Sequence, residues 1–439
     1  IPEADEVTAR LLAAGETVGV FQCESEGARR TLRQLQARSV ADLAVANAFF
    51  KPGPATGGMA AAFIRRYRGD EAVSYLHPAL EPILAPTKGV LLFQEQILRL
   101  AREIAGLSWA QADHLRRGMT QFAPAEMEAI AAEFSDGCRA GGLSGRQAAT
   151  LWEQVAAFAG YGFNQGHATA YAAVSYRSAY LKAHYPAVFL WARLLNAGGF
   201  FHPAVYLAEA VRLGCRVRPP HVNASSRRVT LTKEGGVPTV WLGLGRVRDL
   251  RRTAIRAILR ERPFSSVRDL AARVPLQEKE LRHLIQCGAL DGLGASRAAM
   301  LAEAAEMARA GSTLQMAFAF GAPDVPAETP AERLAWEQRL LGQPVSVHPL
   351  ALLPPMEGLT PLHALPQTAG KRVSVRGVRL PGWTGAPGFY LADEETFVRA
   401  RSDGPAPTAW QPLQLTGRWR TDAWGGGWLE VEASREAGA

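Results

Sequence analysis

The chain has 439 residues, with 49 basic and 41 acidic side chains and a net charge of +8. That length suggests two to four domains, and 48% hydrophobic residues are ample for their cores. No apolar run is long enough to span a bilayer and no signal peptide opens the sequence. Four scattered cysteines, Cys23, Cys138, Cys215 and Cys287, contain no CxxC pair, which argues against a zinc site or a disulfide framework. They read as buried thiols of a cytoplasmic protein. The sequence begins at Ile1 without a methionine, so a longer parent chain is an expectation.

Residues 1–215 read as a helical body. ADEVTARLLAAG has helical spacing and a glycine stop at Gly15. KPGP at 51–54 interrupts the helices, because proline has no backbone N–H. GVLLFQEQILRLAREIAGLS places Ile97, Leu98, Ala101, Ile104 and Ala105 on one helical face. SWAQADHLRRGM comes next, with Ser108 as N-cap. Further helices are expected at 145–157 and 168–183. Between them FAGYGFNQGHATAY sets aromatics, an amide and a histidine around glycines.

Residues 216–240 turn to Pro, Asn and Ser with short alternating runs, a small hairpin. Short helices return over 243–310. Residues 241–300 hold 12 Arg/Lys against 6 Asp/Glu, a net of +6, whereas 301–439 hold 12 against 15, a net of −3. The basic segment is where phosphate contacts are expected. Residues 311–331 read as a Pro/Ala/Gly-rich linker, followed by the helix AERLAWEQRLLG and a second Pro-rich stretch. The last segment alternates apolar and polar residues in KRVSVRGVRL, GFYLADEE, WQPLQLTGRWR and GGWLEVEA. Several short strands with glycine turns suggest a small barrel, of which the oligonucleotide-binding (OB) fold is a common case.

Several blocks taken together resemble one family. TVGVFQCESEGARRTLRQL, FKPGPATGGM, GVLLFQEQILRLAREIAGLSWAQADHLRRGM, FAGYGFNQGHATAYAAVSYRSAYLKAHYP, LIQCGALDGLGASR and LAWEQRLLGQPVSVHPL are similar, in order, to blocks of the bacterial DNA polymerase III alpha subunit, a C-family replicative DNA polymerase. The resemblance implies a multi-domain, mainly α protein ending in a small β-barrel. Its parts would be fingers at 1–215, a connecting hairpin at 216–242 and a tandem helix-hairpin-helix region at 243–310. A linker with a clamp-binding peptide at 311–331, a helix and Pro-rich linker at 332–365 and an OB-fold at 366–439 would complete it. The family's catalytic carboxylates lie in a palm domain and include an Asp-x-Asp element, which occurs nowhere in this sequence. Two-metal nucleotidyl transfer needs such carboxylates. No catalytic residue, metal ligand or bound cofactor is therefore expected here. Magnesium belongs to the palm, and the chain should not polymerise alone.

The resemblance also assigns roles. Arg116 and Arg117 would face the incoming dNTP, one toward the cleft and the other paired with Asp113. Lys51 would add charge, while Tyr161, Asn164 and His167 would approach the nascent base pair. Packing is the competing reading for Tyr161 and Phe163, and a structural hydrogen bond for His167. Lys182 and His184 read as helix-end cations, and Gln94 and Glu95 as braces. Hairpin amides and nearby arginines would grip primer–template DNA through Arg246, Arg248, Arg251, Arg252, Gly288 and Arg297. The first hairpin departs from the family's Gly-x-Gly, reading Asp249-Leu250-Arg251. Gln315, Met316, Phe318 and Phe320 have the spacing of a sliding-clamp-binding peptide. Trp383, Phe389, Tyr390 and Trp424 could stack on single-stranded template. Other expected partners are a palm-containing N-terminal half or further replisome subunits, and no membrane. The alternative is a non-catalytic DNA- and clamp-binding adaptor. The absence of Lys at Gln121 and Gln165 favours it.

Overall fold

The computed structural model describes residues 1–49, 58–118, 123–158, 162–196, 198–310, 325–384 and 387–438. Lys51, Tyr161 and the proposed clamp peptide, Gln315, Met316, Phe318 and Phe320, lie outside them. The chain divides into two compact units, Ile1–His184 and Tyr185–Ala439.

The first unit is helical: α1 (Glu6–Ala13), α2 (Glu26–Leu35), α3 (Val40–Phe49), α4 (Gly58–Arg68), α5 (Glu81–Leu84), α6 (Gln94–Arg99), α7 (Trp109–Gly118), α8 (Pro124–Ala140), α9 (Gly145–Phe158) and α10 (Gln165–His184). Gly15 stops α1 with φ +65°, as its position predicts. Ser108 Oγ accepts from the Gln111 amide at 3.2 Å, so the expected cap of α7 forms. Leu100, Ala112, Leu115, Phe134, Leu151 and Val155 belong to the apolar core under α5–α9. α10 packs against α1 and α3. Ala168, Ala172, Ser175 and Ala179 are among its buried positions, and such small side chains let the helices approach closely. Lys182 is buried and donates to the carbonyls of Glu16 and Val18 at 2.7 and 2.8 Å, which fastens the helix end to the chain start.

The second unit opens with α11 (Pro186–Leu195) and α12 (Pro203–Arg212). Leu190, Leu207 and Ala210 share a core with Val240, Ile258 and Leu284. α11 and α12 thus belong to the second compact unit, where they share a core with the sheet and the helices that follow it. Strands β1 (Arg216–Arg218), β2 (Thr230–Glu234) and β3 (Val237–Trp241) form a three-stranded sheet. β2 and β3 are the expected hairpin; β1 adds to β3 in parallel. Then come α13 (Arg252–Glu261), α14 (Val267–Arg273), α15 (Glu278–Gln286), α16 (Arg297–Ala310) and α17 (Pro330–Leu341).

The C-terminal barrel is made of β4 (Arg372–Arg379), β5 (Phe389–Ala392), β6 (Phe397–Arg401), β7 (Pro412–Thr421) and β8 (Gly427–Glu436). It closes in the order β4-β5-β6-β8-β7, with β4 returning to β7 and β6 parallel to β8. This five-stranded closed meander with one crossing is OB-fold-like. β7 bends at a register shift between Thr416 and Gly417, and a Cβ at Gly417 would strike the Glu430 carbonyl. The fold class is thus mainly α with a small C-terminal β-barrel. Among the described residues no helix is long and apolar enough to cross a membrane.

Candidate nucleotide and nucleic-acid interface

In the first unit α6 packs against α7, and hydrogen bonds tie the start of α6 to the start of α10; of the predicted nucleotide residues that are described, Arg116 and Arg117 stand on α7 and Asn164 and His167 at the start of α10. Gln96 sets up the entry to α6. Its Oε1 accepts from the Leu92 and Phe93 amides at 2.9 and 3.0 Å, and its Nε2 donates to Thr87 Oγ1 at 2.7 Å. Gln96 is buried and was not singled out from sequence, because a buried amide network leaves no periodic signal. Phe93 then bridges Phe163 in parallel: the Gln94 amide donates to the Phe163 carbonyl at 2.9 Å. Glu95 accepts from the Gln165 amide at 2.8 Å. The bracing role expected of Gln94 and Glu95 is therefore literal: they tie the start of α6 to the start of α10.

Arg116 and Arg117 project from the last turn of α7. Both engage Asp113. Arg116 Nε and Nη2 reach Asp113 Oδ1 at 3.1 and 2.8 Å, and Arg117 Nη2 reaches Oδ2 at 2.7 Å. This corrects the expectation of one paired and one outward arginine. An acidic group at i−3 and i−4 serves both, since both positions lie on its helical face. The hydrogen bonds from Arg116 and the two guanidinium charges hold the Asp113 carboxyl below the ordinary carboxylate range. Arg116 also reaches Gln94 Oε1 at 3.4 Å and is 29% exposed, whereas Arg117 is 69% exposed. Arg117 is thus the guanidinium of the pair with fewer bonds to break before it meets a phosphate.

Asn164 Oδ1 accepts from the His167 amide at 2.7 Å and caps α10. Its Nδ2 has no partner among the described residues. The exposed His167 ring lies 4.1 Å from Tyr171 and 5.6 Å from Phe163, centroid to centroid, and Tyr171 lies 5.4 Å from Phe21. The result is an aromatic ladder along the exposed face of α10.

In the second unit the first hairpin keeps its shape without glycine. Asp249 adopts φ +63°, the left-handed conformation that a glycine would occupy most cheaply. Lys279 pairs with Asp249 at 2.7 Å, and His283 Nδ1 lies 2.8 Å from the Arg248 carbonyl. Glu280 accepts from the Arg251 amide at 2.9 Å, from Arg251 Nε at 2.8 Å and from Nη2 at 2.7 Å. A carboxylate of the chain itself thus occupies the Arg251 amide. Arg246 is exposed and reaches Gln343 at 3.3 Å. Arg248 and Arg252 are exposed and have no side-chain hydrogen bond or ion pair among the described residues. Arg256 shares this state and was missed, although it stands one helical turn after Arg252 on the same helix. The i, i+4 spacing could have found it.

Gly288 takes φ +86° in the second hairpin, as expected of a hairpin glycine. Arg297 is a correction. It is 1% exposed, with Nη2 on Asp291 Oδ2 at 2.7 Å and Nη1 on Glu337 Oε1 at 3.0 Å. A Cβ at Gly288 would collide with its guanidinium. Arg297 is the buried strut of this hairpin and cannot reach DNA.

On the barrel, Phe389 and Tyr390 are buried, with Tyr390 edge-on to Phe201 at 5.5 Å, so they are core and not a stacking surface. Trp383 is 67% exposed, in the loop between β4 and β5, and touches Phe200 at 5.7 Å. Trp424 lies half-buried between β7 and β8. Loops of this kind are what OB-folds use for oligonucleotides. Arg401 stands over the Trp428 ring at 5.2 Å, a stacked pair that sequence alone does not reveal. Among the described residues no three His, Cys, Asp or Glu groups come together to hold a metal ion.

Residues 1–142 match the bacterial DNA polymerase III alpha subunit finger domain, and residues 214–300 match a helix-hairpin-helix motif. The DNA polymerase III subunit alpha of Vibrio cholerae is 37% identical over 338 residues, covering 74% of this chain and 29% of that protein. The corresponding subunit of Pseudomonas fluorescens is 39% identical over 306 residues, 67% of this chain and 26% of the relative. An error-prone DNA polymerase of Bordetella parapertussis is 36% identical over 365 residues, 81% of this chain and 35% of the relative. The chain spans between about a quarter and about a third of those relatives' length. With its finger and hairpin regions both matched and polymerases as its relatives, the chain is a DNA polymerase III alpha-like protein.

Proposed function

We propose that this chain supplies the fingers, the duplex grip and the template-side barrel of a DNA-directed DNA polymerase acting in replication or repair synthesis. Arg117, with Arg116 behind it, neutralises the triphosphate of the incoming dNTP. Arginine suits the task as a permanent charge with a fork of donors. The observation that supports this reading is Arg117, 69% exposed on the last turn of α7 and, among the described residues, bonded only to Asp113. Arg246, Arg248, Arg252 and Arg256 hold duplex phosphates, and Trp383 with Trp424 stacks on single-stranded template. Gln315, Met316, Phe318 and Phe320 tether the chain to the sliding clamp. The attacking 3′-hydroxyl and the magnesium ions belong to a palm outside this chain, in a cytoplasmic assembly.

The test is Arg117→Ala in a polymerase reconstituted with its palm-bearing part. Removing one charge-assisted phosphate contact should raise the nucleotide KM about tenfold or more, with DNA affinity unchanged. An unchanged KM would remove the triphosphate role and leave the non-catalytic DNA- and clamp-binding adaptor in its place.

A further inference from the structure

The second unit contains a cavity that none of these roles uses. It measures about 210 Å³ and lies between α12, residues 343–348 and one end of the barrel. One wall is a face of α12 carrying Ala204, Leu207 and Val211. Val345 and Leu380 extend the apolar lining. A pocket of this size is too small for a nucleotide and right for one or two side chains.

Its mouth has the opposite character. Asp393, Glu394 and Glu395 are consecutive in the turn between β5 and β6, and all three line the cavity, which no lysine or arginine lines among the described residues. Asp393 spends its oxygens on the Leu362, Glu395 and Thr396 amides, at 3.3, 3.0 and 2.8 Å. Glu395 lies 3.4 Å from His363. Glu394 is exposed and has no side-chain partner among the described residues. Three adjacent carboxylates repel one another and any phosphate, and would gain from an arriving cation.

Two further features point the same way. Trp410, which lines the cavity with the carboxylates, has φ +65°, an uncommon backbone conformation for so bulky a residue. Its amide donates to the Arg379 carbonyl at 2.9 Å, which anchors the backbone that carries the indole. An indole next to carboxylates is a surface on which a guanidinium or ammonium group gains from both. His348 accepts from the Leu350 amide through Nδ1 at 3.3 Å. Burial pushes its pKa down to about 4, so the ring is neutral and carries its proton on Nε2, as a donor in the cavity wall.

We propose that this cavity is a docking socket for a peptide segment of a partner protein, which inserts one apolar side chain beside Leu207 and Val211 and lays an adjacent lysine or arginine across Trp410 and the Asp393–Glu394–Glu395 rim. The commitment to a basic peptide rests on charge: the rim excludes nucleic acid and acidic segments, and the apolar wall excludes a bare cation. None of the arginines proposed to hold DNA is among the socket's described lining residues, although Arg246 bonds Gln343 in its wall, and the proposal does not depend on that reading.

The probes are two fluorescently labelled hexapeptides, Gly-Lys-Leu-Phe-Lys-Gly and its counterpart with both lysines replaced by glutamate, titrated with the full chain by anisotropy. The basic peptide should bind and the acidic one should not, and binding should weaken as salt screens the rim. Leu207→Trp, which fills the cavity, and Glu394→Lys, which reverses the rim at an exposed site, should each weaken binding about tenfold. Primer–template affinity should not change in Leu207→Trp. Equal binding of the two peptides, no binding of the basic one, or displacement of it by primer–template DNA would each overturn the proposal. Should Leu207→Trp fail to fold, Glu394→Lys and Glu394→Gln decide alone: an affinity equal to that of the unaltered chain in both sinks it.

Discussion

Removing Arg252 and Arg256 together tests the DNA grip where the structure makes the arithmetic simplest. Both lie on α13, both are exposed while Ile255 and Ile258 are buried, and neither has a side-chain hydrogen bond or ion pair among the described residues. Alanine at both sites therefore breaks no native bond and improves helix propensity slightly. If each holds one phosphate, the slope of log K against log salt for duplex DNA should fall in steepness by about 0.9 per residue, or about 1.8 in the double variant. Over a fourfold rise from about 50 to about 200 mM salt, that is a change of about twelvefold in how much affinity the unaltered chain loses relative to the variant. The assay is anisotropy of labelled primer–template DNA with the purified chain at several salt concentrations. Thermal melting serves as the control, with Tm expected to hold within about two degrees. An unchanged slope would refute the placement of this helix on the DNA backbone. So would a loss of affinity that does not depend on salt.

Arg297→Ala should behave in the opposite way. It leaves Glu337, 0% exposed, and Asp291 without their cation, so stability should fall by about 3–5 kcal/mol in denaturant titration while the salt slope of the remaining folded protein stays unchanged. Glu280 predicts a pH effect. Burial alone would raise its pKa, but hydrogen bonds from the Arg251 side chain and from the Gln277 and Arg251 amides, with the Arg251 charge, pull it from the ordinary 4.5 to about 2. A folded-state pKa below the unfolded one gives stability that is present above about 4.5 and is lost as pH falls toward about 2. Glu280→Gln should be less stable than the unaltered chain at neutral pH, and that difference should shrink across this window. A constant gap between the two melting curves would contradict the assignment.

Much of the architecture was legible because it rests on local rules. Gly15 stops α1, Ser108 caps α7, and the alternation in KRVSVRGVRL and LQLTGRWR becomes β4 and β7. The hairpin at 230–241 turns on Gly235 and Gly236, both at positive φ. What the sequence could not show is which polar groups spend their charge inside the fold. Arg297 reads as one more basic residue until Glu337, forty positions away, is found against it. Glu280 lies twenty-nine positions from the amide it occupies. Phe389 and Tyr390 are aromatic in a strand whether they face solvent or the barrel interior, and four consecutive buried residues in β5 suppress the alternation that would have told them apart. The pairing of both Arg116 and Arg117 with Asp113 was within reach of helical geometry. The error lay in treating the carboxylate as able to serve only one of them.

The Arg297 strut has a consequence for how the chain is put together. It joins the second hairpin, through Asp291, to α17, through Glu337, whose other oxygen accepts from the Val345 and Ser346 amides at 2.8 Å. Glu328 adds a second tie, accepting from the Ala298 amide at 2.9 Å while Arg333 holds it at 2.7 Å. α17 is thus held by bonds across space to residues 291–298. A substitution at Asp291 or Glu337 should therefore be felt at both ends of the strut, in the second hairpin and in α17 together.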